Sequence, residues 1–447
     1  MRRIRLRVPR IQRAAMLVTA TLAGALLAGV TAGCDIVGQA AGAGPGSTGS
    51  ATSVSGIGPI TFATGKLDIS SYLPGLIAQW NAAHPRQKVT LIQLPDDADD
   101  QYAQLVANLQ ARNDAYDVMS LDEIWTAQFA SNGWIVPLNP EQFPLGDFLA
   151  PAVDTARYQG RLWAVPFTSN AELLYYRSDI LKQAGARPPR TWAQLADLAS
   201  TLAPRYHMAG YGGQFLAYEG LTVNFAEAVQ SAGGSILSPD GTRVTLNSPQ
   251  ARSALGFLAS GFRQGWIPQA ALGYDEAASQ QAFEAGKLLF LNNWPYVYGQ
   301  AATPGPGNVV AGKFGVTTLP GPDGPGSSSL GGANLAISAY SRHQLTALAF
   351  IKFLTSLPSE RQVLINGSLP PAWAQLYAEP TLVRRFPYLP VLKNAILAAR
   401  PRPPIPDYGQ LSLAISSAVH QALMQRSSVN ATITELSAEL AHIIRNG

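Results

Sequence analysis

The chain has 447 residues, 47% of them hydrophobic and 13% charged, one cysteine, and a formal net charge of +4. Six arginines and no acid fall within the first 33 positions, and without that segment 26 basic side chains face 28 acidic ones, a net of −2. This gives no electrostatic case for nucleic-acid binding; the lone thiol excludes an intrachain disulfide and thiolate-metal sites; and about 410 remaining residues exceed one ordinary core, so two lobes are expected.

The first elements are an address. Met1 to Arg7 is basic, Ala14 to Val30 is apolar, and Thr31-Ala32-Gly33 is small, followed at once by Cys34. That order reads as a secretory signal over residues 1–33. The cysteine placed after small residues resembles the lipobox of bacterial lipoproteins, with Thr31 where leucine is usual. Cys34 is then the expected lipidation site and the membrane anchor. The competing reading is a transmembrane helix with a buried cysteine. The apolar run is short against the roughly 20 residues a span needs, and Gly/Ser residues follow it rather than a charged stop. Residues 34–58 are rich in Gly, Ser, Ala and Thr and read as a flexible tether. Gly44 to Gly49 matches G-x-G-x-x-G, but neither a strand nor a helix flanks it, so it carries no dinucleotide reading.

Strands and helices then alternate. Ile60 to Ala63 reads as a strand, Tyr72 to Ala83 as a helix with Leu73, Leu76, Ile77 and Trp80 on one face, and Val89 to Leu94 as a strand. Gln101 to Ala111 is an expected helix, Asp117 to Leu121 a short buried strand, and Glu123 to Asn132 a helix stopped by Gly133. This order predicts an α/β lobe with a largely parallel sheet. Strands are expected at Arg161–Pro166 and Glu172–Tyr176, then helices at Thr191–Leu202, Tyr218–Ala232 and Ser248–Gln264. Thr191 and Gln194 have capping-box spacing. A helix at Glu276–Glu284, strands at Lys287–Asn292 and Phe314–Thr318, and a Gly/Pro/Ser loop from Gly321 to Gly332 follow. Helices at Leu345–Leu354, Pro358–Ile365 and Tyr388–Ala399, and one long run from Gln410 to Ile444, close the chain.

The catalytic motifs sought are missing: no G-x-S-x-G, no Walker A loop and no metal triad. His84, His207, His343, His420 and His442 show no HExxH spacing, so neither a metal nor a cofactor is expected. The acidic run Asp96 to Asp100 lacks EF-hand spacing and fits a helix N-terminus. Trp294 follows a strand and precedes a proline, where a ring faces either a ligand or the core. Trp80 and Trp192 fall at core spacing. Asp122 lies past the C-terminal end of a buried strand, where ligands bind in open parallel sheets, or it caps the next helix. Asn170 sits at an expected turn between strands. Arg402, in a proline-rich segment, points either into a cleft or into solvent.

Five strings carry a family resemblance: DVMSLDEIWTAQFASNGWIVPL at 117–138, AVPFTSNAELLYYR at 164–177, AFEAGKLLFLNNWPYVY at 282–298, FGVTTLPGPDG at 314–324 and GGANLAIS at 331–338. Together they resemble the extracellular solute-binding proteins of carbohydrate ABC importers, of the maltose-binding type. Within that family the likeness runs to the trehalose-binding lipoproteins of mycobacterial importers. The resemblance implies an α/β, two-lobed periplasmic-binding-protein-like fold with a hinged cleft. It puts 59–167 and 317–357 in an N-terminal lobe, and 168–316 and 358–447 in a C-terminal lobe. It further implies ligand contacts at Asp122, Asn170, Glu276, Trp294 and Arg402, with Gly332 admitting the ligand to the backbone. Lys66 and Asp68, in a loop that departs from those lipoproteins, are added as hydroxyl partners. The implied partners are a disaccharide, expected to be trehalose, and ABC permease subunits, for a monomer tethered at Cys34 outside the cytoplasm. Two alternatives stay open. One is a ligand such as another oligosaccharide or a glycerophosphodiester; the other is a glycoside hydrolase using Asp122 and Glu276 as its acid pair.

Overall fold

The computed structural model describes residues 54–65 and 72–446. Cys34 and its signal, most of the tether, and Lys66 and Asp68 lie outside the described residues. Eleven strands are described: β1 (Ile60–Gly65), β2 (Val89–Leu94), β3 (Val118–Asp122), β4 (Arg157–Tyr158), β5 (Arg161–Leu162), β6 (Val165–Ala171), β7 (Leu173–Arg177), β8 (Ala209–Gly212), β9 (Leu288–Asn293), β10 (Phe314–Thr317) and β11 (Leu330–Ile337). They form a five-stranded sheet ordered β2-β1-β3-β11-β6, a four-stranded sheet ordered β10-β7-β9-β8, and the hairpin β4-β5.

The first sheet is mixed rather than largely parallel. β1 pairs in parallel with β2 and β3, but β11 runs antiparallel to both β3 and β6. The cause is β11 itself, whose first residues were expected to close a loop. Gly331 and Gly332 disguise its start, yet the strand is wedged between two neighbours and shows no alternation of polar and apolar residues. Its register sets Gly331 opposite Asn170, Gly332 opposite Ser169 and Ala333 opposite Asp122. Asn170 is therefore inside a strand and not at a turn. The Arg161–Pro166 strand divides into β5 and the start of β6, and β8 appears where no strand was expected.

β6 and β7 are separated by Glu172 alone and belong to different sheets. β10 and β11 repeat this change of sheet through residues 318–329. The chain thus crosses from one sheet to the other beside Asn170 and again just before Gly331.

The helices that matter for the site are α1 (Leu73–Ala83), α2 (Ala98–Gln110), α3 (Glu219–Ser231), α4 (Pro249–Gln264), α5 (Glu276–Glu284), α6 (Tyr408–Leu423) and α7 (Val429–Asn446). α1 buries Leu73, Leu76, Ile77 and Trp80, the face its spacing predicts. α2 starts earlier than the apolar pattern suggests because Asp97 caps it, accepting from the Asp99 and Asp100 amides at 2.8 and 3.2 Å. Thr191 accepts from the Gln194 amide at 3.2 Å, while Gln194 Oε1 takes the amide of Arg190, one residue before the cap, at 2.8 Å. Trp192 stacks on Phe257 with centroids 4.6 Å apart, so it is core. α3 is buried on every side from Glu219 to Val229. It packs against α4 and α6, and α7 packs against α4 and α6. The expected single C-terminal helix breaks between α6 and α7, where Gln425 adopts φ +60° and Ser428 caps α7 by accepting from the Ala431 amide at 3.2 Å.

Gly332 has φ +137°, and a Cβ there would lie 2.2 Å from the Thr168 carbonyl oxygen of β6. Backbone strain of about 1–3 kcal/mol plus that clash predicts a clearly lowered melting temperature for Gly332→Ala. Gly324→Ala, where a Cβ meets nothing within 4 Å, should stay within about 0.5 kcal/mol of the parent. Denaturant melts of the two variants check this.

Candidate functional site

Between the sheets lies a cleft of about 180 Å³, lined in part by Asp122, Asn170, Glu276, Trp294, Gly332 and Arg402. All the sequence-derived candidates among the described residues meet there. A larger groove of about 810 Å³ opens on the other side of Tyr296 and holds none of them.

Arg402 is the organising charge. It is 2% exposed, its Nη2 lies 3.0 Å from Asp122 Oδ1 and 3.6 Å from Glu123 Oε1, and its Nη1 donates to Glu219 Oε1. Burying a guanidinium costs several kcal/mol unless it is well paired, and here two carboxylates bind it directly. Glu219 is held in turn: it accepts from the Tyr408 hydroxyl at 2.7 Å and from the Ser412 hydroxyl, both on α6. Arg402 Nε has no partner among the described residues. The segment that carries Arg402 is thus aimed into the cleft and not into solvent.

Asp122 takes the capping role the sequence left open and adds an ion pair that the sequence did not reveal. Its Oδ1 accepts from the Ile124 amide at 3.3 Å as a helix cap and also takes Arg402. Asn170, on β6, has a buried Oδ1 without a partner among the described residues. Trp294 is half-buried at the cleft. Its amide donates to Asn293 Oδ1 at 2.7 Å, and its carbonyl accepts from the Tyr175 hydroxyl at 2.9 Å. Gly331 makes room for the ring: a Cβ there would fall 2.5 Å from Trp294 Cζ3. Glu276 opens α5, where Asp275 caps the helix by accepting from the Ala278 amide at 2.7 Å. Its carboxylate accepts from the Tyr218 hydroxyl at 2.6 Å.

Burial raises the acids around this point. Glu276 is pushed up to about 7, with the Tyr218 hydrogen bond opposing. Glu123 is pushed up to about 8 by burial, against the pull of Arg402. Glu219 is raised, again by burial first.

Glu219 and Tyr218 escaped the sequence reading. Glu219 is 183 residues from the arginine it binds. One signal was available: α3 reads EGLTVNFAEAVQS, and an acid on a helix buried all round must find a partner.

Replacing Arg402 by Met leaves Asp122, Glu123 and Glu219 without their cation, which predicts a loss of about 3–5 kcal/mol near neutral pH. Raised carboxyls favour the folded state below their unfolded value near 4.3 and lose that contribution as pH rises through the folded one, about 8 for Glu123. Without the guanidinium these values rise further. The stability gap between parent and Arg402→Met should therefore widen as pH rises past about 8, in urea titrations from pH 6 to pH 9.

A polar cleft lined from two sheets, with a ring on one wall and an arginine anchored between acids, defines a solute-binding protein. The chain belongs to the bacterial extracellular solute-binding protein family, whose sequence model matches residues 64–359. It is 33% identical over 379 residues to a probable ABC transporter-binding protein of Deinococcus radiodurans, covering 80% of this chain and 87% of that one. It is 28% identical over 292 residues to a mannitol-binding protein of Pseudomonas aeruginosa, covering 62% and 66%. The solved structure of maltose-bound T. maritima MalE3 matches with a TM-score of 0.81 at 30% identity, over 86% of this chain and 99% of that one. The fold is the α/β periplasmic-binding-protein-like fold. The protein binds and does not catalyse, so the hydrolase alternative is set aside. Among the described residues no helix is long and apolar enough to cross a membrane.

Proposed function

We propose that the protein captures a disaccharide, trehalose, in the cleft between the two sheets and delivers it to an ABC permease. The observation that carries this reading is the set of unpaired polar atoms beside the ring of Trp294. Arg402 Nε offers a donor, Asn170 Oδ1 an acceptor, and the Tyr296 hydroxyl lacks a partner among the described residues. Sugar hydroxyls complement such atoms, and a flat ring covers a C–H face. The likenesses to maltose-bound T. maritima MalE3 and to the Deinococcus radiodurans ABC transporter-binding protein support the sugar and the permease. The lobes follow the two sheets and close by rotation about the crossings at Glu172 and 318–329. Lys66 and Asp68 are proposed as further hydroxyl partners, and a lipid at Cys34 holds the monomer at the membrane.

Calorimetric titration with trehalose, maltose, sucrose, cellobiose and mannitol tests the ligand. Trehalose should give the highest affinity. No heat with any sugar removes the disaccharide reading, preference for maltose replaces trehalose, and preference for mannitol moves the site to the polyols of the Pseudomonas aeruginosa relative. Trp294→Ala should weaken trehalose binding by at least tenfold, about 1.4 kcal/mol; unchanged affinity would make the ring part of the core. In cells, Cys34→Ser should move the protein from the membrane fraction into the soluble one, and firm retention at the membrane would remove the anchor.

A further inference from the structure

Behind the cleft, away from any proposed ligand contact, two further glutamates are fully enclosed. Glu172 is the single residue between β6 and β7, and it is 1% exposed. Glu227 is on α3 and is 2% exposed. Their surroundings are unequal. Glu227 Oε1 accepts from the Ser328 hydroxyl at 2.7 Å and from the Ser329 amide at 3.1 Å, and its Oε2 accepts from Asn292 Nδ2 at 2.9 Å. Three donors converge on it, as suits a carboxylate. Glu172 Oε2 accepts from Asn224 Nδ2 at 3.2 Å, Oε1 has no donor among the described residues, and the carboxyl lies within hydrogen-bond reach of that of Glu227. The amide of Glu172 donates to the same Ser328 hydroxyl at 2.8 Å.

These contacts join the two places where the chain changes sheets. Glu172 follows Asn170 by two residues, and Ser328 and Ser329 lead into Gly331 and Gly332. Asn292 lies two residues before Trp294. We propose that Glu172 and Glu227 share one proton, with Glu172 as the neutral donor, and that this pair is the positioning device that fixes both crossings and the site residues they carry.

Burial raises both acids, Glu172 further because the charge of Glu227 adds to it. Glu276 on α5 raises Glu172 as well, and Arg402 opposes. Tyr175 on β7 and Tyr211 on β8 also face the pair, each with its own ionisation raised, first by burial. No buried lysine or arginine other than Arg402 is found among the described residues. A proton held in the folded state and lost in the unfolded one favours folding at low pH, and that contribution falls as pH rises above about 4.3.

The test is urea unfolding of the full chain at pH 5 to 8 with Glu172→Gln and Glu227→Gln. Glutamine at 172 keeps a neutral donor to Glu227. The folding constant of Glu172→Gln relative to the parent should therefore grow with pH, by about tenfold per pH unit while the pair holds its proton. Glutamine at 227 sets its own amide among three donors, so that variant should be less stable than the parent at every pH. A flat Glu172→Gln ratio overturns the shared proton, and so does a Glu227→Gln variant that behaves as Glu172→Gln should. If Glu227→Gln fails to fold, the Glu172→Gln ratio still decides. The binding arm rests on the reading of the cleft as the trehalose site: Glu227→Gln should bind trehalose at least tenfold more weakly, and unchanged affinity overturns the positioning role. If the parent binds no trehalose, that failure belongs to the ligand assignment, and the urea arm decides the pair.

Discussion

One buried guanidinium sets the terms for the rest of the cleft. Arg402 reaches Asp122 at the end of β3 in the first sheet and Glu219 at the start of α3, a helix packed with α4 and α6. The pairing is self-enforcing, because either acid left alone in that interior would face the desolvation cost unaided. Fixing Arg402 also fixes its neighbours. Asp122 is held by Arg402 and the Ile124 amide on one oxygen. Tyr408 and Ser412 pull α6 onto Glu219. The geometry of the site therefore depends on an ion pair that closes over 280 residues of sequence.

That separation explains what the sequence could and could not reveal. Local physics was legible. The apolar face of α1, the aspartate cap of α2, the threonine cap at Thr191 and the glycine stop at Gly133 all act within a few residues. The placement of Asp122 at a strand end followed from the alternation of elements, and its capping role is present, while the ion pair with Arg402 was not foreseen. Non-local pairing was not legible. β11 lies between β3 and β6, so its side chains need not alternate, and its opening glycines look like a loop until Thr168 and Trp294 show what occupies their missing Cβ positions. The break between α6 and α7 falls at a non-glycine residue in a left-handed conformation, which leaves little trace in composition. The residues that line the cleft were picked out through family resemblance; spacing alone left Trp294 balanced between core and cleft.

The interior carries an excess of acids. Among the described residues Asp117, Glu123, Glu172, Glu219, Glu227 and Glu360 are buried and Glu276 is half-buried, against Arg402 as the one buried cation. Carboxyls in that ratio cannot all stay charged, so hydroxyl, amide and shared-proton partners take the place of cations. Glu276 shows this at the cleft: it has a tyrosine hydroxyl as partner and titrates near neutrality. A carboxyl in that condition can accept from a ligand hydroxyl when ionised and donate to one when neutral. Such a site suits a polyhydroxylated, uncharged ligand better than a fixed anion, which would meet several acids and, among the described residues, one buried arginine.

Under the proposed disaccharide reading, selectivity follows from which atoms the protein leaves unpaired. Contact with Trp294 is then tolerant, since any sugar presents C–H faces to a ring. The demanding partners in that reading are Asn170 Oδ1, Arg402 Nε and the Tyr296 hydroxyl, which are enclosed without protein partners among the described residues. A ligand that lacks the matching hydroxyl leaves each such atom buried and unpaired, at a cost of about 1–3 kcal/mol. That is roughly a 5- to 150-fold loss per missing contact, comparable with the discrimination needed between disaccharides of equal size. The ring would then supply affinity common to many sugars, and the orphaned polar atoms, held in place by the ion pair at Arg402, would supply the choice among them.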